Sequence, residues 1–414
     1  MTLLMSLLGA FVCGCAIMAA MGFRGRVTTI GVDLGTTFSV VGVSVNNQVK
    51  IITDKAGHTI FPSVVSYLPS GEVVAAYEAA KRMSDDPHNT IFNSKRFIGR
   101  TLDEDKVDEY AASHPFKVVK VNSTITPFGG IGFELSAPGH PHVISPESVG
   151  TKVLEYLLGV TAEYLGHKQV TKAIIAVPAK FNAEQRQATG AAYKAAGLKV
   201  IRVLEEPTAA AVAYQLHKKT DISHILVYDF GGGTLDVSIL YVSKGSVQVY
   251  ATDGDEMLGG SDFDMCLADV LTTQLEARGI KLSEEVTGGD NACTGASVRA
   301  KAEQMKKDLS SAESATIRCT PAGAGLNLEV TLELSRQDFQ KQCKHLFDAG
   351  MLPVTRLLTE LGMERNDIDE VVLVGGTTRI PEVKARLREY FGKELNDRID
   401  PDVTVAYGAA SILD

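Results

Sequence analysis

One local pattern occurs twice in the chain and constrains its fold more than any other feature. Residues 28–43 read TTIGVDLGTTFSVVGV: an apolar strand ending at Asp33, a tight turn, and a second apolar strand. Residues 226–240 read LVYDFGGGTLDVSIL, with Asp229 in the matching place and a turn through three glycines. Two copies about half a chain apart indicate an internal duplication, with one unit opening each half.

Helix and strand patterns alternate around these two units. Helical periodicity covers 145–165 and 182–196, and a strand pattern covers 172–178 between them. Residues 262–318 carry the mixed polar and apolar positions of long helices. Residues 367–376 (DIDEVVLVGG) are typical of a buried strand that ends in glycines.

This alternation predicts an α/β architecture with two duplicated lobes. The predicted lobes are residues 27–220 and 221–414, one for each copy of the repeat. Because no Pro- or Ser-rich linker lies between them, we expect the lobes to pack together.

Composition argues against several classes of function. The length of 414 residues predicts about two to three domains. Of these residues 45% are hydrophobic and 22% charged, which is enough apolar material for a real core. Lys and Arg number 41 against 50 Asp and Glu, a net charge of −9, so nucleic acid is disfavoured as a partner. The six cysteines form no CxxC pair and the histidines no HExxH motif, which argues against zinc and against a dense disulfide framework.

The first 23 residues are typical of a targeting segment rather than of the fold. Thr2 to Phe23 contains no charged side chain, and the first basic residues, Arg24 and Arg26, follow it. A cleaved signal peptide, a retained membrane anchor and a buried core helix are the open interpretations. The segment is apolar on every face and precedes the first strand, which disfavours the core helix.

The signal and the anchor place the rest of the chain differently. A secretory signal delivers it to the lumen of the endoplasmic reticulum (microsomes), where the triplet Asn122-Ser123-Thr124 offers a glycan acceptor. An uncleaved anchor with Arg24 and Arg26 on the cytoplasmic side leaves it in the cytosol, with a membrane contact only through that segment. We favour the secretory lumen.

The two glycine turns are suited to hold phosphate, because glycine takes positive φ and lets backbone N–H groups approach an anion closely. Strand follows strand here, and neither GxxxxGK[ST] nor GxGxxG stands at the required place, which excludes a P-loop and a Rossmann site. Asp33 and Asp229 would repel phosphate without a cation between them, so the pattern predicts Mg²⁺. One such hairpin is usually a plain turn, but the second copy and the strand end at 374–376 favour a site.

A third acidic position is Glu206, in the string LEEPTAAA. The residue before a proline favours extended backbone, which would hold this carboxylate at a cleft, on the metal side. Alone, Glu206 would indicate only a partner of a helix dipole. The stretch 258–264 (LGGSDFD) is more typical of a loop and helix N-cap than of a site.

Seven strings in a fixed order resemble the nucleotide-binding domain of the seventy-kilodalton heat-shock chaperones, members of the actin and hexokinase superfamily. They are IGVDLGTT, AVPAKFNAEQRQAT, EEPTAAAVAY, YDFGGGTLDVS, LGGSDFD, VVLVGGTTRIP and DPDVTVAYGAA, and the likeness runs from Thr28 to the last residue. The resemblance implies two α/β lobes, each of two subdomains, that close on ATP or ADP with Mg²⁺. It also implies protein partners such as co-chaperones and exchange factors.

The resemblance also assigns roles to residues at matching positions. Asp33, Glu206 and Asp229 would hold hydrated Mg²⁺, and Asp229 or Asp236 would orient the attacking water. The phosphate turns are Gly35, Thr36, Thr37, Gly231, Gly232, Gly233 and Thr234; the adenosine helix supplies Glu303, Lys306, Lys307 and Ser310; and Gly375, Gly376, Arg379 and Asp402 complete the surround. Without the resemblance, the adenosine helix would be interpreted as a solvated helix face.

A departure from the family pattern concerns the phosphate-reaching lysine. It is expected seven residues before the Pro of an N-P-x-N-T segment, here Pro87, where Ala80 stands and Lys81 is displaced by one residue. Lys81 is therefore a catalytic candidate beside Glu206 and the two water-side aspartates. The alternative is that this cation is missing and that hydrolysis is slow.

A second departure is that the chain stops at Asp414 without a linker or a β-sandwich for client peptides. This resembles family members that consist of an N-terminal hydrophobic segment and the ATPase core alone, and a partial sequence would look the same.

Three functions follow from the sequence as a whole: a chaperone-type ATPase of the endoplasmic reticulum, a non-hydrolysing nucleotide-binding scaffold or co-chaperone-like module, and a sugar or glycerol kinase. The strings EEPTAAA and VVLVGGTTRIP disfavour the kinase.

Overall fold

The computed structural model describes residues 26–101, 107–122, 128–282, 292–321 and 329–413, together with Gly9 and Val12. The predicted targeting segment, residues 1–23, lies outside the described residues apart from those two positions. Within the described part of the chain, no helix is both long enough and apolar enough to cross a membrane.

The strands form two main sheets and several smaller ones. In chain order they are β1 (Thr29–Leu34), β2 (Phe38–Val45), β3 (Gln48–Ile51), β4 (Phe61–Pro62), β5 (Val65–Tyr67), β6 (Val73–Ala75), β7 (Thr90–Ile91), β8 (Lys117–Lys120), β9 (Ile131–Glu134), β10 (Val143–Ile144), β11 (Lys172–Val177), β12 (Lys199–Glu205), β13 (His224–Phe230), β14 (Leu235–Ser243), β15 (Ser246–Asp255), β16 (Ser314–Cys319), β17 (Val330–Ser335) and β18 (Glu370–Val374).

Helices connect and cover these sheets. In chain order they are α1 (Tyr77–Lys81), α2 (Val107–Ala112), α3 (Pro146–Leu165), α4 (Ala183–Ala195), α5 (Glu206–Ala213), α6 (Gly260–Ala277), α7 (Gly295–Ser311), α8 (Arg336–Gln342), α9 (Lys344–Leu361), α10 (Pro381–Phe391) and α11 (Thr404–Ser411). Short 3₁₀ helices include Ser94–Arg96 and Gly376–Arg379.

The first main sheet is built around β1. Its strand order is β12-β11-β1-β2-β3, with β4 also paired to β2. β1 runs parallel to β11 and antiparallel to β2, so that Asp33 stands opposite Ala176 on one side and Val40 on the other. Ile30 and Val32 are fully buried in this strand, which carries Asp33 out of the core at its carboxyl end.

The second main sheet repeats this arrangement around β13. Its order is β15-β14-β13-β18, and β13 runs parallel to β18 and antiparallel to β14. Asp229 stands opposite Asp236 on β14 and Val374 on β18. Each sheet therefore holds a hairpin beside one parallel strand, which confirms the α/β architecture predicted from the repeat.

Smaller units flank the main sheets. Strands β8 to β10 form one three-stranded antiparallel sheet, and β5 to β7 form another. The ribbon of β16 and β17 shares a core with α6 and α7. The sequence predicted long helices up to residue 318, and this prediction is wrong for the last residues. There Ala315, Ile317 and Cys319 are buried and their neighbours exposed, which is the two-residue period of a strand.

Helices α5 and α11 lie between the main sheets and connect the two halves of the chain. Small residues allow this close packing: a Cβ added to Gly408 would come 1.8 Å from the Ala209 carbonyl oxygen. A Cβ added to Gly31 in β1 would come 2.4 Å from the Ala410 backbone nitrogen. Since α11 returns to the first sheet, the lobe boundary at residue 220 stays a prediction.

Local signals set the helix starts. At α4 the Asn182 side chain accepts the Gln185 N–H at 2.8 Å, and the Gln185 side chain accepts the Asn182 N–H at 3.1 Å. The helices predicted at 145–165 and 182–196 are confirmed to within a residue. At α5 the extended residue is Glu205 rather than Glu206, because Pro207 fits the first helical turn, where its missing N–H costs nothing.

Two disulfide bonds cross-link the second half. Cys266 in α6 pairs with Cys343 before α9, and Cys293 before α7 pairs with Cys319 at the end of β16. The spacing of the cysteines does not reveal these pairs, because the fold decides which thiols meet. Cys13 and Cys15 lie outside the described residues.

We expect Gly408→Ala to lower the free energy of unfolding by about 1–3 kcal/mol, the cost of forcing extra volume into a packed contact. Gly190→Ala in α4 is the matched control, because nothing lies within 4 Å of a Cβ at that position. Because alanine has a higher helix propensity than glycine, Gly190→Ala should raise the free energy of unfolding by about 0.5–1 kcal/mol. Urea unfolding measures both, and equal stability of the two variants would contradict the packing of α11 on α5.

Candidate functional site

The two glycine turns of the repeat meet in one cleft between the main sheets. The cleft is lined by Asp33, Gly35, Thr36, Thr37, Phe38, Lys95, Arg96, Arg100, Pro178, Lys180, Phe181, Gln185, Glu206, Asp229, Gly231, Gly232, Gly233, Thr234, Asp236, Glu256, Val374, Gly375, Gly376, Pro401 and Asp402. The structure thus brings together the phosphate turns, the metal-side carboxylates and the water-side aspartates that were predicted separately.

Close approach explains the glycines of the second turn. A Cβ added to Gly232 would come 2.7 Å from the Thr37 hydroxyl oxygen, on the first turn. The Gly231 N–H donates to the Thr234 carbonyl at 2.9 Å, and the Thr377 hydroxyl donates to the Gly231 carbonyl at 2.8 Å. The turn is therefore fixed from within and from the 3₁₀ helix after β18.

A third strand end completes this edge of the second sheet. Gly375 follows β18 with a φ of 80°, and its N–H donates to the Pro401 carbonyl at 3.0 Å. A side chain there would be strained and would also meet the Phe230 carbonyl oxygen at 2.4 Å. This glycine is required by the backbone, so that β13 and β18 can end side by side.

Acidic side chains gather where these strands end. Burial raises the pKa of Asp33 to about 7, Glu206 adds to the rise, and Lys95 opposes it. Burial, and then Glu206 and Asp236, hold the pKa of Asp229 well above its usual range. Burial also raises the pKa of Asp236 to about 6, against the pull of Lys180. Each carboxylate is thus destabilised in its charged form, and added positive charge would relieve all of them.

Lys95 supplies the buried positive charge of the cleft. Its Nζ atom lies 2.7 Å from Glu206 Oε1, and each side chain is only 12% exposed. Burial alone would lower its pKa, but Glu206, Asp33 and Asp229 together raise it, so the ammonium group stays charged. Asn93, left-handed at a φ of 54°, turns the chain into the 3₁₀ helix that carries Lys95.

Lys81 does not reach the cleft. It ends the short helix α1, is exposed, and is absent from the cleft lining. Pro87 stands in the string DPHNT, with Asp86 in place of the expected Asn, and the lysine in the cleft lies eight residues after that proline instead of before it. The structure therefore places Lys95 where the sequence prediction placed Lys81.

Two arginines reach across the cleft from the first half to the second. Arg96 donates to the Gly233 carbonyl at 2.6 Å and also to the Glu256 carbonyl. Arg100 donates to the Glu256 carboxylate at 3.3 Å. A Cβ added to Gly233 would come 2.5 Å from Arg96 Nη2, so this glycine makes room for the guanidinium group.

The predicted adenosine helix is α7, which stands beside the cleft rather than in its lining. Lys306 donates to the Gly260 carbonyl at 2.8 Å and pairs with Asp264 at 2.7 Å, which ties α7 to the start of α6. Glu303 pairs with Lys307 at 2.7 Å on the exposed face. The Ser310 hydroxyl donates to the Lys306 carbonyl at 3.0 Å.

The last predicted residues lie on the Gly375 side of the cleft. Arg379 pairs with Asp402 at 2.9 Å and with Asp400, and of these Asp402 lines the cleft. The Arg379 guanidinium group donates to the Asp402 carboxylate and so holds it in place. Sequence reasoning missed the polar and charged lining residues outside the glycine turns, which carry no glycine signal: Lys95, Arg96, Arg100, Lys180, Gln185 and Glu256.

The donor set fits a hydrated cation. Asp33, Glu206 and Asp229 offer carboxylate oxygens, the ligands that Mg²⁺ takes in proteins. In the described ranges no group of three or more His, Cys, Asp or Glu side chains could hold an ion by itself. A cation here would need water and phosphate oxygens to complete its shell, as Mg²⁺ bound with a nucleotide does.

Two sheets of like topology that meet at paired glycine turns define an actin-like ATPase fold. The model of the Hsp70 protein family matches residues 29–413. The chain belongs to the Hsp70 family, whose ATPase domains bind ATP and ADP.

The raised carboxylate pKa values make stability depend on pH. Folded Asp33 keeps its proton up to about pH 7, whereas the unfolded residue loses it near pH 4, so stability falls as pH rises between these values. Asp33→Asn should remove part of this fall and stabilise the nucleotide-free protein by about 1–2 kcal/mol at pH 8. Urea unfolding at pH 5 and pH 8 tests this, with the exposed Asp221→Asn as control. Parallel pH profiles for wild type and Asp33→Asn would contradict the burial of this carboxyl group.

Proposed function

We propose that the protein is a Mg²⁺-dependent chaperone-type ATPase that cleaves ATP to ADP and phosphate in the cleft between the two sheets. The observation that supports this most is the buried pair of Lys95 and Glu206 among the aspartates of both glycine turns. A lysine held charged at this position favours a strongly anionic ligand. The Hsp70 family match agrees with a nucleotide.

The residues of the cleft have different roles, and each role follows from the chemistry of the group. Backbone N–H groups of residues 35–37 and 232–234 bind the phosphates, whereas the Gly231 N–H closes the second turn on the Thr234 carbonyl. Asp33, Glu206 and Asp229 would hold hydrated Mg²⁺. Bound Mg²⁺ would neutralise charge on the phosphate oxygens.

Hydrolysis then requires a positioned water and a cation at the transferred phosphoryl group. Asp229 or Asp236, which face each other across the β13–β14 hairpin, orients the water that attacks the terminal phosphorus. Lys95 neutralises the charge that spreads over the phosphoryl oxygens in the transition state.

The nucleoside binds toward α7. Glu303, Lys306, Lys307 and Ser310 offer polar groups there, with Gly375, Gly376 and Asp402 on the opposite side. Arg379 acts through Asp402, to which it is paired. We also propose protein partners of the co-chaperone and exchange-factor kind, and no nucleic acid.

The lumen of the endoplasmic reticulum is the proposed compartment. Two disulfide bonds in the second half suit an oxidising environment and are rare in cytosolic proteins. The uncharged residues 2–23 supply a targeting segment, and Asn122 is exposed.

Lys95→Met should lower single-turnover ATP hydrolysis by at least about a hundredfold, because the charge at the phosphoryl group is lost. Lys81→Met should leave the rate unchanged, since Lys81 is exposed on α1. A fast wild type that keeps its rate in Lys95→Met would show that another cation acts. A wild type that binds ATP but does not hydrolyse it would favour a nucleotide-binding scaffold.

Translation in the presence of microsomes tests the compartment. We expect the chain to be protected from protease until detergent is added, and to lose a glycan in Asn122→Gln. Ser113→Ala, in a loop without the acceptor triplet, is the control for mobility on the gel. Digestion without detergent would place the chain in the cytosol.

A further inference from the structure

Lys180 is a second lysine of the cleft, and neither the repeat nor the predicted site accounts for it. It follows β11 in the segment Pro178-Ala179-Lys180-Phe181, and Pro178, Lys180 and Phe181 all line the cleft. Arg186 of α4 donates to the carbonyls of Phe181 and Ala179, at 2.9 Å and 3.2 Å. The backbone that carries Lys180 is therefore held on both sides of the residue.

The ion pair that Lys180 makes is loose. Its Nζ atom lies 3.7 Å from Asp236 Oδ1, beyond hydrogen-bond distance, and each side chain is 32% exposed. The pair of Lys95 and Glu206, by contrast, is 2.7 Å apart and 12% exposed. A long, partly hydrated pair contributes little free energy, so the Lys180 ammonium can turn to a better acceptor at small cost.

Asp253 and Gly254 lie close to Lys180 and shape the space around its ammonium group. The Asp253 carboxylate, whose pKa Lys180 helps to lower, is engaged by Arg356 at 2.6 Å and by the Gly254 N–H at 2.7 Å. A Cβ added to Gly254 would come 3.1 Å from Lys180 Nζ, so the bare backbone at Gly254 leaves space for the ammonium.

We propose that Lys180 binds the terminal phosphate of a nucleoside triphosphate and so lets the cleft distinguish a triphosphate from a diphosphate. The inference rests on the proposed function, because it takes Asp236 to mark the terminal-phosphate side. Lys95 pairs with Glu206, one of the metal-side carboxylates, whereas Lys180 pairs with Asp236. An ammonium group that leaves a loose carboxylate pair for a phosphate oxygen gains a charge-assisted hydrogen bond.

The test compares two nucleotides on the same variants at one Mg²⁺ concentration. Lys180→Met should weaken binding of a non-hydrolysable ATP analogue about tenfold and change ADP binding by less than about twofold. Lys180→Gln, a polar neutral variant, should behave as Lys180→Met does. Lys180→Arg should recover most of the triphosphate affinity, because it restores the charge. Lys55→Met is the control, since Lys55 is 84% exposed and pairs with Glu163 away from the cleft.

Titration calorimetry distinguishes the outcomes. Selective loss of triphosphate affinity in both neutral variants supports the proposal. Equal loss for both nucleotides, or no loss, while the wild type binds both, overturns it and leaves the proposed ATPase intact. A wild type that binds neither nucleotide overturns the proposed function, and this inference with it.

Discussion

The concentration of acidic groups at one point is the constraint on which the rest of the cleft depends. Asp33, Glu206, Asp229 and Asp236 all line it, and burial opposes the charged form of the three aspartates. Lys95 is the buried positive charge that offsets part of this repulsion. The side chains of the cleft therefore carry a deficit of positive charge, which a divalent cation bound with phosphate would fill.

Backbone packing brings these groups together. The two sheets can approach because small residues separate them, with Gly408 against Ala209 and Gly31 against Ala410. Larger side chains there would push β1 away from α5 and so move Asp33 from Glu206. The geometry of the charges thus depends on positions that carry no charge.

Local signals in the sequence predicted the duplicated hairpins, Asp33, Asp229 and the glycine turns, because each is encoded within a few neighbouring residues. The sequence prediction missed Lys95 because it counted residues from Pro87 toward the N-terminus, whereas Lys95 lies eight residues from Pro87 toward the C-terminus. Lys180, Arg96 and Glu256 carry no local signal at all. They meet in the cleft only because distant loops converge, as the disulfide partners do.

The two disulfide bonds give the cleft walls unequal mechanical compliance. Both covalent ties fall between residues 266 and 343, in the body that carries α6 and α7, and no disulfide joins cysteines of the first half within the described residues. One wall is thus stiffened against internal deformation, whereas the other is held by non-covalent contacts alone. A motion that opened the cleft would, within the described residues, meet covalent cross-links only in the body that carries α6 and α7.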